Sequence, residues 1–276
     1  MPSDKEWARR YRRWGVTGRV FFLKPLAIVW QDDILVAINK PAGLLVHRSP
    51  IDRHETQFAV QQLRDQLGRW VYPVHRLDKP TSGLLLFAFE PDVAAAVAQQ
   101  FEWRTVSKRY WAVVRGHAPM AIDIDHPLKD EIDHRGRVCD QGKYREAQTH
   151  LRCLRSWVIP IAVDRYPEAR YSLVELQPRT GRYRQLRRHL KHIAHPIIGD
   201  TRYGKGTHNR FFRQHFACHR LLLASVGLAF DHPLSGLRVS LTAQPEQSFQ
   251  WVLDSLNQMD ESRGGSLETP QCLQTS

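Results

Sequence analysis

His75-Arg76-Leu77-Asp78-Lys79-Pro80-Thr81-Ser82-Gly83 follows a short strand pattern, Tyr72 to Val74, and precedes the apolar run Leu84 to Phe89. It therefore reads as a loop feeding a buried strand. Pro80 with Thr81-Ser82-Gly83 behind it forces a non-helical path, and the hydroxyls can bond the loop's own backbone. One acid, Asp78, sits among Arg76, Lys79 and His75, a setting that favours its ionised form and a fixed direction. A nucleophile needs such a carboxylate. An Asp that closes a turn has the same local pattern, so the residues alone leave both roles open.

Working outward, the chain before this loop reads as strand, turn, strand: Ala27 to Trp30, a turn at Asp32-Asp33, Ile34 to Ile38, and then Asn39-Lys40-Pro41-Ala42-Gly43 into Leu44-Leu45-Val46. Ala59, Leu63 and Leu67 at helical spacing predict an amphipathic helix with Gly68 as its C-terminal cap. After the loop a second helix is expected from Asp92 to Trp103, then a strand from Arg109 to Val114 that Gly116 ends. Residues 117–146 are polar, carry Pro119, Pro127, Gly136 and Gly142, and read as a long insertion or loop. Strands are expected at Gln148 to Leu154 and Tyr171 to Leu176, a helix at Arg184 to Ile193, and closing strands at Leu221 to Phe230 and Leu237 to Thr242. With no repeat and no linker between cores, this is one α+β domain over residues 27–245. A basic, aromatic extension precedes it (1–26, with Arg9 to Trp14), either an arm that touches a partner or a disordered segment. A C-terminal helix and disordered tail follow it (246–276).

A chain of 276 residues with 42% hydrophobic and 25% charged residues has ordinary globular composition, which excludes overall disorder. The longest apolar run, Leu221 to Phe230, is about half of what a bilayer span requires. The N-terminus opens on charges rather than an apolar signal core, so a cytoplasmic location is expected. Cys139, Cys153, Cys218 and Cys272 form no C-x-x-C pair and read as reduced thiols, with no zinc ribbon and no metal site. The net charge of +12 favours a polyanionic partner. From Arg179 to Arg220 there are eleven Lys and Arg against one acid, Asp200, a net of +10. Aromatics (Tyr183, Tyr203, Phe211, Phe212, Phe216) and six histidines interleave with those charges, a mixture that suits phosphate contacts beside base stacking. Nucleic acid is the expected partner.

Residues 75–83 resemble the His-Arg-Leu-Asp-x-x-Thr-Ser-Gly signature of pseudouridine synthases of the large-subunit rRNA and tRNA type. Three further blocks agree in order and spacing: Asn39 to His47, Lys108-Arg109-Tyr110, and Thr180-Gly181-Arg182 through Gln185 to His189, followed by Pro196 to Asp200 and Tyr203-Gly204. The resemblance covers about residues 27–245. It implies a pseudouridine synthase fold, a mixed, mostly antiparallel central sheet flanked by helices and loops around an active-site cleft. It further implies Asp78 as nucleophile, Arg187 paired with it, Tyr110 stacked on the uracil as proton acceptor, and Leu186 beneath the base. Arg76 would fill the space left by an everted base or hold the phosphates, and Arg182, Arg184, Arg188 and Lys191 would contact RNA. No cofactor and no metal is expected, since the reaction is an isomerisation, and a monomer is expected.

Pro80, the run Arg187 to Leu190 and the run His195 to Asp200 resemble the branch acting on the uridine at position 65 of tRNA. A related synthase acting on rRNA, or on both RNAs, is the alternative, and a non-catalytic RNA-binding protein ranks below it. A carboxylate glycosidase would want a second positioned acid, and only Asp65 and Glu90 lie near the motif. Two positions depart from the family pattern. Arg184 stands where His is usual, and Ala224 stands where a Leu-His-Ala run would put His; both are expected to alter the RNA contact surface.

Overall fold

Leu35-Val36-Ala37-Ile38 and Leu84-Leu85-Leu86-Phe87-Ala88 contain almost nothing polar, and in the computed structural model every one of these side chains is fully buried. Strands that are apolar on both faces must be covered on both faces. Even-numbered Val36 and Ile38 with odd-numbered Leu85 and Phe87 face one cluster, which includes Ala59 and Leu63. Leu35 and Ala37 with Leu84, Leu86 and Ala88 face another, with Val97 and Phe230. The two-residue period of a strand thus sorts one sequence into two cores.

The structure describes residues 25–47, 55–131 and 142–261. Strands β1 (Ala27–Gln31), β2 (Leu35–Lys40), β3 (Tyr72–Pro73), β4 (Ser82–Ala88), β5 (Ser107–Arg115), β6 (Ala121–Asp125), β9 (Gln148–Ile159), β10 (Ala169–Pro178), β11 (Leu223–Asp231) and β12 (Arg238–Thr242) form one sheet; β7 (Leu128–Lys129) and β8 (Tyr144–Arg145) pair apart from it. The order is β1-β2-β4-β11-β5-β10-β9-β6, with β3 beside β4 and β12 beside β11. All pairings in the large sheet are antiparallel except β4 with β11. Helices α1 (Ala59–Leu67), α2 (Pro91–Glu102), α3 (Gln185–His192), α4 (Gly206–Phe216) and α5 (Gln247–Glu261) flank the sheet. This is the α+β, mostly antiparallel architecture expected.

The β4–β11 junction has a sequence cause. Gly83 has φ +107, and a β-carbon there would overlap the Ser225 carbonyl oxygen, so only glycine lets the two backbones meet. The loop of residues 75–81 leads into β4 at this junction, and the parallel register pairs Ala224 with Ser82 and Ser225 with Gly83.

Four expectations need correction. Leu44-Leu45-Val46 is not a strand; Leu45 makes a single bridge to Phe58 at the start of α1. The 117–146 segment is not merely a loop: β6 extends the sheet beyond β9, and β7 pairs with β8. Short, partly exposed strands carry little apolar period, so the sequence hid them. The region Gly206–Phe216, read only as charges and aromatics, is a helix whose Phe211 and Phe212 pack on Tyr171 and whose Phe216 packs on those two rings, all three buried. These three rings are core and not stacking platforms. Finally, Ala224 is fully buried and cannot alter an RNA surface. Expectations for residues 1–24 and 262–276, and for Cys139 and Cys272, lie outside the described residues; Cys153 and Cys218 are free thiols. Among the described residues no helix is long and apolar enough to cross a membrane.

Candidate active site

The loop that presents Asp78 is held from beneath. Thr81 N–H donates to the Asp78 carbonyl at 3.0 Å, closing a turn around Lys79-Pro80, and Gly43 N–H donates to the Lys79 carbonyl at 2.8 Å. Lys40, fully buried at the end of β2, donates from Nζ to the carbonyls of Leu44 (2.8 Å), Pro41 (2.9 Å) and Lys79 (3.3 Å). Burial, and then Arg220, lower its pKa to about 7 against the pull of Asp78. Three carbonyl acceptors call for three N–H donors, which only the ammonium supplies. The Ser82 hydroxyl, expected to bond its own loop, instead accepts from Arg220 Nη2 at 2.6 Å, and Arg220 also pairs with Glu246. His75 is a strut as well: its Nε2 accepts the Leu86 N–H at 3.1 Å and its ring stacks on Phe101. Burial, helped by Lys108, drops its pKa to about 3, so it stays neutral.

Opposite stands α3. Leu186 and Leu190 turn into the core, and Gln185 staples the preceding loop by accepting from the Thr180 hydroxyl (2.7 Å) and Arg182 N–H (2.9 Å) while donating to Gln148 O and Thr149 Oγ1. Arg184 enters the helix in the left-handed conformation, φ +53, uncommon for a side chain other than glycine. Arg187 reaches across to Asp78, with Nη1 3.3 Å from Oδ2. Its other face is gripped by Asp200, Nε to Oδ2 at 2.7 Å and Nη2 to Oδ1 at 2.9 Å.

Asp200 is wholly buried, whereas Asp78 keeps 20% of its side chain exposed, so the pair runs from core to cavity. Burial would lower the pKa of Arg187 and raise that of Asp200; their mutual hydrogen bonds and charges overcome this, raising the first and lowering the second. Asp200 is itself aimed by the backbone N–H groups of Arg202 and Tyr203, each 2.9 Å from Oδ1, after a bend at Gly199 (φ +80) where a β-carbon would overlap the Arg220 carbonyl.

Between these walls lies a cavity of about 660 Å³, within the usual range for small-molecule sites. Asp78, Tyr110, Leu186 and Arg187 all line it, with Arg76, Arg182 and Arg184 around them. Burial pushes the Tyr110 hydroxyl up to about 12, opposed by a hydrogen bond to Ser225 and reinforced by the charge of Asp78. Tyr110 is therefore a neutral phenol near pH 7, the form suited to stacking. Arg188 and Lys191 lie elsewhere, on a smaller concavity of about 300 Å³ with His126, His192 and Tyr203.

Several residues of this constellation escaped the sequence reading as site residues. Lys40, Asp200 and Lys108, whose pKa burial and Arg104 lower to about 8, all lie inside the quoted blocks. Their roles depend on partners tens of residues away. Among the described residues no three His, Cys, Asp or Glu side chains gather to hold a metal ion.

A family model described as RNA pseudouridylate synthase matches residues 34–192. A curated protein of Vibrio cholerae, tRNA pseudouridine synthase C, is 46% identical over 233 residues, covering 83% of this chain and 94% of its own length. Its namesake from Pasteurella multocida is 48% identical over 240 residues, covering 85% and 96%. Among solved structures, human RNA pseudouridylate synthase domain containing 4 superposes with a TM-score of 0.62 at 28% identity, covering 84% of this chain and 93% of that one.

Proposed function

The chain belongs to the RNA pseudouridylate synthase family, and we propose that it isomerises a uridine of tRNA, the one at position 65, to pseudouridine with Asp78 as the nucleophile. Membership makes it an RNA pseudouridine synthase, an isomerase. The tRNA substrate follows from the two relatives named tRNA pseudouridine synthase C. Position 65 rests on the sequence resemblance.

The observation that carries the reading is the approach of Arg187 Nη1 to Asp78 Oδ2, 3.3 Å, on the wall of a cavity that also holds Tyr110. The reaction breaks the N1–C1′ bond of the uridine, turns the freed uracil, and joins C5 to C1′; the proton lost from C5 balances the one gained at N1. A carboxylate nucleophile makes the first cleavage accessible. Arg187 fixes the direction of Asp78, and because Asp200 occupies two of the guanidinium's nitrogens, Nε and Nη2, Nη1 is the nitrogen left to face the nucleophile. Tyr110 and Leu186 enclose the uracil as flat and apolar surfaces, which favours the base over water in the cavity. If the Tyr110 oxygen takes the C5 proton, its own hydroxyl proton passes to the uracil nitrogen freed by cleavage, so the proton count closes, and the hydrogen bond to Ser225, which lowers the pKa of that hydroxyl, eases its release.

A stacked uridine must leave its helix to reach Asp78, at a cost of a few kcal/mol. Arg76, exposed at the mouth beside the nucleophile, occupies the space a flipped base vacates, and Arg182 with Arg184 meets the flanking phosphates.

The test is Asp78→Asn, which preserves shape and removes the nucleophile. Incubated with tRNA and read by mass mapping of pseudouridine, it yields no product while tRNA binding stays within about twofold of wild type. Product formation at the wild-type rate would overturn the assignment. Product at a different nucleotide in the wild-type reaction would overturn position 65 alone.

A further inference from the structure

Arg184, Arg188 and Arg202 belong to the basic stretch assigned to RNA, yet all three converge on one carboxylate of the chain itself. Glu131, which follows the β7 strand, receives the Tyr203 hydroxyl at 2.8 Å on Oε1 and 3.0 Å on Oε2. Arg188 Nε lies 3.5 Å from Oε1, and Arg202 Nη2 and Arg184 Nη1 lie 3.1 and 4.0 Å from Oε2. Three guanidiniums around one carboxylate leave a local excess of two positive charges. Arg184 Nη1 is buried without a well-formed hydrogen bond, so the cluster holds a donor that its resident anion does not satisfy. The position is a rim: Arg184 lines the main cavity, and Arg188 and Tyr203 line the smaller concavity beside it.

We propose that Glu131 occupies a phosphate site of the substrate RNA and is exchanged for a backbone phosphate when RNA binds. The inference rests on the RNA-modifying reading above. A phosphodiester presents two anionic oxygens, as a carboxylate does, and guanidiniums suit both. Exchanging one anion for another leaves the local charge unchanged, and the pairs to be broken are partly exposed: the side chains of Glu131 and Arg202 are 23% and 56% accessible. While Glu131 is in place it neutralises one of the three guanidinium charges. A loose polyanion must displace the carboxylate, whereas an RNA docked at the cavity brings its phosphate to the rim.

Each phosphate that the protein neutralises sheds the cation condensed on it, about 0.9 in the salt slope of log K; a carboxylate expelled beside the RNA holds a cation in its place, so the exchange adds little. Glu131→Gln retains the size of the side chain and an acceptor for Tyr203 but removes the charge. Filter binding of tRNA between low and moderate salt is expected to show a slope steeper by about 0.9 and an affinity roughly three- to tenfold higher at the low end. Glu131→Asp, which keeps the charge, is expected to retain a slope near wild type.

If Glu131→Gln, shown by its thermal midpoint to be folded, has an unchanged or shallower slope, Glu131 is only a structural tether and the proposal fails. It fails equally if Glu131→Asp steepens the slope as much as Glu131→Gln. Should the wild type bind tRNA yet convert none of its uridines, the fault lies with the proposed substrate, because the slope comparison requires binding alone.

Discussion

Asp78 and Asp200 share one guanidinium, and their burial decides what each does. Asp200, wholly inside, completes a two-point clamp on Arg187; Asp78, at the cavity wall, takes the remaining Nη1. Asp200→Asn would leave Arg187 buried with a weakened partner, and breaking a buried pair from one side typically costs about 3–5 kcal/mol. Because the amide still accepts some of these bonds, the expected loss is near the lower figure, about 3 kcal/mol, seen as a lower urea midpoint at unchanged slope. A freed Arg187 no longer aims its Nη1, so turnover should fall at least tenfold while tRNA affinity changes little; a full-rate Asp200→Asn would show that Arg187 needs no such clamp. Asp78 was legible because its neighbours form a contiguous motif. Asp200 stands 13 residues from Arg187, in a block whose glycine bend says nothing of the side chain it serves.

The elements that read well are those whose apolar period is complete. β2 and β4 are covered on both faces, α1 ends at Gly68 in the left-handed conformation as expected, and α2 begins with Pro91 at its first turn, one residue before the expected start. Elements at the edge read poorly. β6 has one buried residue in five, since its pairing with β9 is made by backbone that carries no sequence signal. α4 failed differently, because its charged and aromatic residues alternate between an exposed face (Arg210, Arg213) and the core (Phe211, Phe212, Phe216), and composition alone mixed the two. The junction of β4 with β11 also yields a prediction. Gly83→Ala would drive a methyl group into the Ser225 backbone, which cannot yield as a side-chain tip would. It is expected to cost more than about 3 kcal/mol, beyond the common range for point substitutions, and to render the chain sensitive to limited proteolysis. A Gly83→Ala protein as stable as wild type would mean that the two strands can separate without consequence.

Across the whole molecule, neutral histidines tie the fold to pH. His189 is buried with Nδ1 3.0 Å from Thr149 Oγ1 and Nε2 3.1 Å from the His126 carbonyl, and His208 is buried with Nδ1 2.9 Å from the Tyr171 hydroxyl. Burial lowers both pKa values to about 4, from an ordinary value of 6.5. The unfolded chain therefore binds more protons between about pH 4 and 6.5, and stability rises with pH through that window. The contribution is complete above about pH 6.5 and is lost as pH falls toward 4, at up to about 1.4 kcal/mol per pH unit for each group. Thermal melts from pH 7.5 to 4.5 should show a falling midpoint with most of the change below pH 6.5; a flat profile would mean these imidazoles are accessible to protons in the folded state.

The sequence alone determined the order of most strands and helices, the buried character of the central pair, the Asp78 loop and the location of the basic stretch, because each is written in neighbouring residues or in a local period. Only the tertiary structure decided which cations face the cavity, which are held by Glu131 or Asp200, and which aromatics are core. Those outcomes depend on distance and solvent exclusion between segments far apart in the chain, and neither composition nor period encodes them.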